Sequence, residues 1–155
     1  MRRRLQVVVG MVVGLLLVGC AEDPGVDQYG RKVPAERLEG QWLVINYWAE
    51  WCGPCRSEIP ELNALAEELK AQPISVLGVN FDGAQDDALK QASEALGIGF
   101  TVLAQDPAER FALPRSEVLP VTYIVDAQGR LRDTLVGEQT AAGLRVRLSQ
   151  LRGDE

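Results

Sequence analysis

The chain contains no histidine. That removes Ser-His-Asp and Cys-His catalysis, together with His-based zinc or copper sites. Three cysteines in 155 residues are too few for a four-cysteine zinc site within one chain. Methionine is scarce, with two residues, so there are no Met-rich segments suited to copper handling. No apolar run reaches spanning length: Leu5 to Val18, broken by Gln6 and small glycines, covers about 14 residues against the roughly 20 that a transmembrane helix needs. Basic residues are outnumbered, 16 against 22 acidic, for a net charge of −6. Such a surface argues against nucleic-acid binding, which needs basic patches to displace phosphate counterions. Low-complexity tracts and internal repeats are also missing, and a hydrophobic content of 46% is enough for the core of one ordinary domain.

Among the features present, Arg2, Arg3 and Arg4 precede the short apolar run, which is the order of a secretory signal. Leu17-Val18-Gly19-Cys20 resembles the lipobox of bacterial lipoproteins. That resemblance implies cleavage before Cys20 and acylation of the new terminus. The expected organisation is a signal peptide over 1–19, a lipidated polar tether over 20–27 and a folded domain over 28–155. Loss of the three arginines leaves 13 basic residues against 22 acidic ones, a net of −9. Acylation would account for an odd cysteine in an exported chain, and several acyl chains anchor stably where one does not. The alternatives are an uncleaved signal anchor and an ordinary signal peptide that leaves Cys20 free.

Trp51-Cys52-Gly53-Pro54-Cys55 follows the apolar run Trp42–Trp48 and opens a helical pattern. Two thiols two residues apart at a strand-to-helix junction are a redox signature, because a helix start and a neighbouring thiol can make one sulfur a stable thiolate. Cys52, at the helix N-terminus, is the expected attacking thiol, and Cys55, one turn deeper, the resolving thiol. An inert stapling disulfide is the alternative, though so small a loop gains little chain entropy. A two-thiolate metal site lacks a visible third soft ligand.

Along the rest of the chain, 28–33 reads as a turn in a short edge hairpin and 34–39 as one helical turn closed by Gly40. Trp42–Trp48, apolar on both faces apart from Asn46, reads as a central parallel strand. A helix is expected over 53–71, with Cys55, Ile59, Leu62, Ala66 and Leu69 on one face. Pro54 suits its first turn, and Pro60 inside the helix is expected to kink it, since the Arg56 carbonyl loses its donor. A second central strand is expected over 74–81, a helix over 82–96 closed by Gly97, a strand over 100–104 and a helical turn over 108–113. Strands 121–125 and 131–136 flank the turn Asp126-Ala127-Gln128-Gly129-Arg130, and an amphipathic helix over 140–151 closes the chain. We read the main order as β-α-β-α-β-β-α, an α/β fold with a mixed sheet between two helical layers.

The CxxC after a strand, the Pro-containing helix behind it and Leu119-Pro120 before a late hairpin resemble the thioredoxin superfamily, from about Gln28 to Leu151. Within it the chain looks like the TlpA/ResA/CcmG group of membrane-tethered bacterial oxidoreductases. Asn46 stands where cytosolic thioredoxins have a buried aspartate. Glu58 completes a Cys-x-Pro-Cys-x-x-Glu-x-Pro pattern, and Val79-Asn80-Phe81-Asp82 and Pro120–Asp126 fit as well.

The resemblance implies a thioredoxin-like fold and a Cys52–Cys55 dithiol–disulfide cycle needing no metal or other cofactor. It implies that Pro120 is an active-site cis-proline facing the CxxC, leaving the Leu119 backbone free to pair with a substrate strand. Leu119 replaces the threonine common in TlpA-like chains. Trp51, Gly53 and Pro54 join Leu119 as expected substrate contacts; Trp48 and Asn46 are expected in the core and Glu50 on the surface. Glu58 is either a buried proton acceptor beneath the disulfide or a solvated helix glutamate. The implied activity is thiol:disulfide exchange, with reduction of exported proteins favoured by Gly53-Pro54. The implied partners are disulfide-containing exported proteins, apocytochrome c among the candidates, with electrons from a membrane transporter of the DsbD type. The implied location is the bacterial cell envelope, lipid-anchored, with the domain in the periplasm or on the outer face of the cytoplasmic membrane. A thiol oxidase and a copper-handling thioredoxin-fold protein are the rival readings; a peroxiredoxin would need a Pro-x-x-x-Thr-x-x-Cys motif that the chain lacks.

Overall fold

The structure is a computed structural model that describes residues 23–153. Cys20 and the expected signal peptide lie outside the described residues. Within them a 3-10 turn, Ala35–Arg37, leads into β1 (Trp42–Trp48), α1 (Gly53–Leu69), β2 (Ile74–Asn80), α2 (Asp86–Ala95), β3 (Thr101–Leu103), β4 (Val121–Val125), β5 (Leu131–Val136) and α3 (Ala141–Arg152). Three strands, not two, follow α2, so the short apolar segment before β4 counts fully in the order. The sheet runs β3-β2-β1-β4-β5. β2 lies parallel to β1 and β3 parallel to β2, whereas β4 runs antiparallel to β1 and β5 antiparallel to β4.

β1 sits at the centre because both of its faces are apolar. Val44, Asn46 and Trp48 face α1; Leu43, Ile45 and Tyr47 face the other way. The buried residues of all three helices, including Ile59, Leu62, Leu89, Leu144 and Leu148, join one core with Trp48. The second core is closed by Val33 and Leu38 at the 3-10 turn and by Phe111 and Leu113 from the long β3–β4 connection. The second helical layer is therefore reduced to that single turn plus irregular chain. Gly78 of β2 pairs with Asn46, and a Cβ there would come within 3.1 Å of the Trp48 indole nitrogen. A glycine at this position lets the Trp48 and Phe100 rings approach the β2 backbone closely.

α1 runs through Pro60, which is exposed and leaves one backbone acceptor without its helical donor. α2 begins four residues later than expected. The Asn80 carbonyl accepts from Gly83 and the Asn80 side chain from Ala84, at 3.0 Å, so a turn is finished before the helix starts. Pro24 and Asp27, placed in the tether by sequence, are buried, and Val26 and Asp27 bridge to Lys32 and Leu103. The folded unit thus starts by Pro24.

Two turns share one design, Asp27-Gln28-Tyr29-Gly30-Arg31 and Asp126-Ala127-Gln128-Gly129-Arg130. In each, one aspartate oxygen accepts from the N–H groups two and four residues on, and the other accepts from the arginine Nε. Gly30 (φ +72°) and Gly129 (φ +76°) take the left-handed position that closes the turn. Asp126 also receives Arg132 at 3.2 Å. Burial alone would raise its pKa, but the hydrogen bonds from Arg130, Gln128 and Arg132 outweigh that and hold it at about 2. A carboxylate with a depressed folded pKa stabilises the fold above its unfolded value, and that contribution is lost as pH falls from about 4 toward 2. Asp126→Ala should cost about 2–3 kcal/mol at pH 7, because it removes the buried charged acceptor on which the Gln128 and Arg130 N–H groups and the Arg130 and Arg132 side chains converge. The deficit against the parent should shrink as pH falls through that window in urea unfolding. A deficit unchanged down to pH 2 would contradict it.

Candidate active site

The site is assembled where β1 ends and α1 begins. Cys52 is the N-cap of α1, with extended backbone, and its sulfur accepts from the Cys55 N–H at 3.2 Å. Pro54, in the first turn, contributes no N–H, so the Cys55 amide is the helix-tip donor aimed at this sulfur. No acidic residue lies in the first turn to oppose negative charge there. Cys52 and Cys55 form a disulfide across a Cα separation of 5.3 Å. Cys52 is 4% exposed and Cys55 1%, so access separates them little; position at the helix tip separates them more. The Arg56 guanidinium is tied to the Glu50 carbonyl at 2.6 and 2.8 Å, which holds a positive charge beside the first turn.

Trp51 is 66% exposed yet fixed. Its indole N–H donates to Asp82 at 2.9 Å, and its ring meets Phe81 edge-on at 6.4 Å. Gly53 and Pro54 are exposed beside it, and a Cβ on Gly53 would meet nothing within 4 Å. Register places Pro120 at the same end of the sheet, since Val121 pairs with Tyr47. The Leu119–Pro120 peptide is cis. Leu119 is half-buried and packs on the core that contains both cysteines, and Val118 before it is 55% exposed. Trp51, Gly53 and Pro54 flank the disulfide in the chain, and Leu119 packs on the same core as both cysteines. Trp48 and Asn46 are in the core and Glu50 is on the surface.

Glu58, open to two readings from sequence, is 1% exposed. It lies on the core face of α1, one turn past Cys55. Asn46 Nδ2 donates to its Oε2 at 3.0 Å and the Gln139 N–H donates to its Oε1 at 3.1 Å. Asn46 Nδ2 also donates to Thr122 Oγ1 at 3.0 Å. No cation reaches the carboxylate among these partners. Burial raises its pKa from 4.5 to about 7, with the nearby charge of Glu138 adding to the rise, while the Gln139 and Asn46 hydrogen bonds hold it down. A carboxyl poised there can accept a proton at neutral pH. Sequence reading missed Asp82 as the support of Trp51 and Gln139 as a partner of Glu58. The first was within reach, since Asp82 follows the strand beside β1; the second, 81 residues from Glu58, left no local signal.

Among the described residues no group of three or more acidic, cysteine or histidine side chains is placed to hold a metal ion. No helix among them is long and apolar enough to cross a membrane.

Residues 20–134 match the AhpC/TSA family. The thiol:disulfide interchange protein HelX of Rhodobacter capsulatus is 32% identical over 127 residues, spanning 72% of this chain and 69% of HelX. The thiol-disulfide oxidoreductase ResA of Bacillus anthracis is 26% identical over 125 residues, spanning 81% of this chain and 72% of ResA. A thioredoxin-family thiol:disulfide interchange protein of Chlorobium tepidum has a similar structure, with a TM-score of 0.68 at 25% identity over 82% of this chain and 91% of that one. The fold is thioredoxin-like, as the motifs implied.

The raised pKa of Glu58 carries a stability signature. A carboxyl whose folded pKa lies above its unfolded one contributes fully below about 4.5, and the contribution is lost as pH rises through about 7. Glu58→Gln removes that loss. Its stability relative to the parent should improve by about 3 kcal/mol across this window, measured by urea unfolding of the disulfide-bonded form. A pH-independent difference would mean that Glu58 titrates as an ordinary glutamate.

Proposed function

Because the chain belongs to the AhpC/TSA family and is a thiol:disulfide oxidoreductase with a thioredoxin-like fold, we propose that it is a reductase of disulfides in exported proteins, working through Cys52 and Cys55. The observation that carries this reading is the pairing of a helix-tip cysteine with a buried, uncompensated Glu58 one turn behind its partner.

The cycle starts from the reduced pair. The Cys52 thiolate, favoured by the helix tip, attacks one sulfur of the substrate disulfide, and the other leaves as a thiolate. Cys55 then gives its proton to the Glu58 carboxylate and attacks the Cys52 sulfur. The mixed disulfide breaks, the second substrate sulfur departs with the electron pair, and Cys52–Cys55 is left oxidised. A donor dithiol, in our reading that of a DsbD-type membrane transporter, restores the reduced state. Trp51, Gly53, Pro54 and Leu119 receive the substrate strand. Apocytochrome c cysteines fit this chemistry as one substrate. Cys20, acylated after removal of 1–19, would hold the domain at the outer face of the cytoplasmic membrane.

Gly53-Pro54 between the cysteines, as in reducing thioredoxins, supports the direction of electron flow. Equilibration with glutathione should give a potential nearer about −270 mV than about −120 mV. A value near the latter would make the protein a thiol oxidase instead. Cys55→Ser should trap substrates as mixed disulfides on Cys52, whereas Cys52→Ser should trap none; equal capture by both would overturn the assigned roles.

A further inference from the structure

Both oxygens of the Glu58 carboxylate are linked to the start of β4, by separate routes. On one side, Oε1 accepts from the Gln139 N–H at 3.1 Å. The Gln139 side chain donates to the Gly137 carbonyl at 3.0 Å, and the Gly137 N–H donates to the Pro120 carbonyl at 2.8 Å. On the other side, Oε2 and Thr122 Oγ1 share the Asn46 amide, and Thr122 lies two residues beyond Pro120. The turn between β5 and α3 is pinned at its far end to the same helix, since the Ala141 N–H donates to Glu61 Oε2 at 2.8 Å. Glu58, the turn and the active-site proline therefore form one connected frame, although they lie far apart in the chain.

We propose that Gln139 is a positioning residue that couples the charge on Glu58 to the seating of Pro120: ionised Glu58 holds the turn and the proline, and protonated Glu58 releases both. The physical cause is the acceptor. A hydrogen bond to an ionised carboxylate is roughly twice as strong as one to a neutral group, so gaining a proton weakens the two grips by which Glu58 reaches β4. The two charge states thereby favour different positions of the turn. This inference rests on the reading of Glu58 as the acceptor of the Cys55 proton. In that cycle the proton arrives as the mixed disulfide is resolved, so the substrate ledge slackens when the product must leave.

The titratable groups near Glu58 are few. Its own helix supplies Cys55 before it and Glu61 after it, the latter engaged with Ala141. β1 and β4 present neutral Asn46 and Thr122, and the β5–α3 turn presents the exposed Glu138. In the oxidised protein neither Cys52 nor Cys55 titrates, and the chain has no histidine.

Amide NMR of the oxidised full chain between pH 5 and 9 isolates the coupling without turnover. The Gln139 and Gly137 amides should titrate together with one midpoint near 7. Both should become flat in Glu58→Gln, and both midpoints should move down together in Glu138→Gln. Titration of Gln139 with a flat Gly137 would overturn the coupling while leaving Glu58 as the acid–base group. If neither amide titrates, both ideas fail. Should Glu58→Gln not fold, the surface variant Glu138→Gln decides, and midpoints that stay put or separate would overturn the coupling.

Discussion

The structure depends on one carboxyl group buried one helical turn past the second cysteine and hydrogen-bonded only by neutral donors. Glu58 is buried on the face of α1 that also carries Cys55, Ile59 and Leu62, and it is met by one side-chain amide and one backbone N–H. A carboxylate in such a place is costly to ionise. The cost shows in its neighbours: Asn46 directs its Nδ2 to Glu58 and Thr122, and its own buried carbonyl oxygen has no protein partner among the described residues. A carboxyl so placed fits a site where the group must change charge during the reaction.

The fold supplies what this group needs. Central β1 carries Asn46 to the carboxyl and Trp48 to the floor beneath the helix tip. α1 places the sulfur at its first turn and Glu58 one turn beyond the second cysteine. β4, antiparallel to β1, brings Pro120 and Thr122 alongside. The β5–α3 turn closes the frame from the far edge. Two remote stretches, β1 and the β5–α3 turn, thus meet one side chain, β4 joins them through Asn46, and the sheet order is what lets them do so.

The strands and α1 were legible because their apolar runs end at glycine, proline or a capping residue; β1, β4 and β5 start and stop at the residues the patterning indicated. The start of α2 was not, because Asn80 closes a turn through its own side chain and no periodicity records that. Pro24 to Asp27 read as tether because they are short and polar, yet the Asp27 turn folds them onto β3. The cysteine pair was legible from spacing alone. The burial of Glu58 was not, since a glutamate at that helical position is solvated or enclosed according to what covers it, and its cover arrives 81 residues later. Trp51 illustrates the middle case: its exposure follows from the motif, but its fixation by Asp82 and Phe81 needed the strand beside it.

The most direct test separates the two chemical steps. Rapid mixing of the reduced protein with a disulfide peptide, followed by Trp51 fluorescence, resolves attack by Cys52 from release by Cys55. In Glu58→Gln the attack should be unchanged, while release should slow by about 10²-fold or more and lose its rise with pH around neutrality. Release at the parent's rate with the parent's pH profile would show that the buried carboxyl takes no part in the proton transfer.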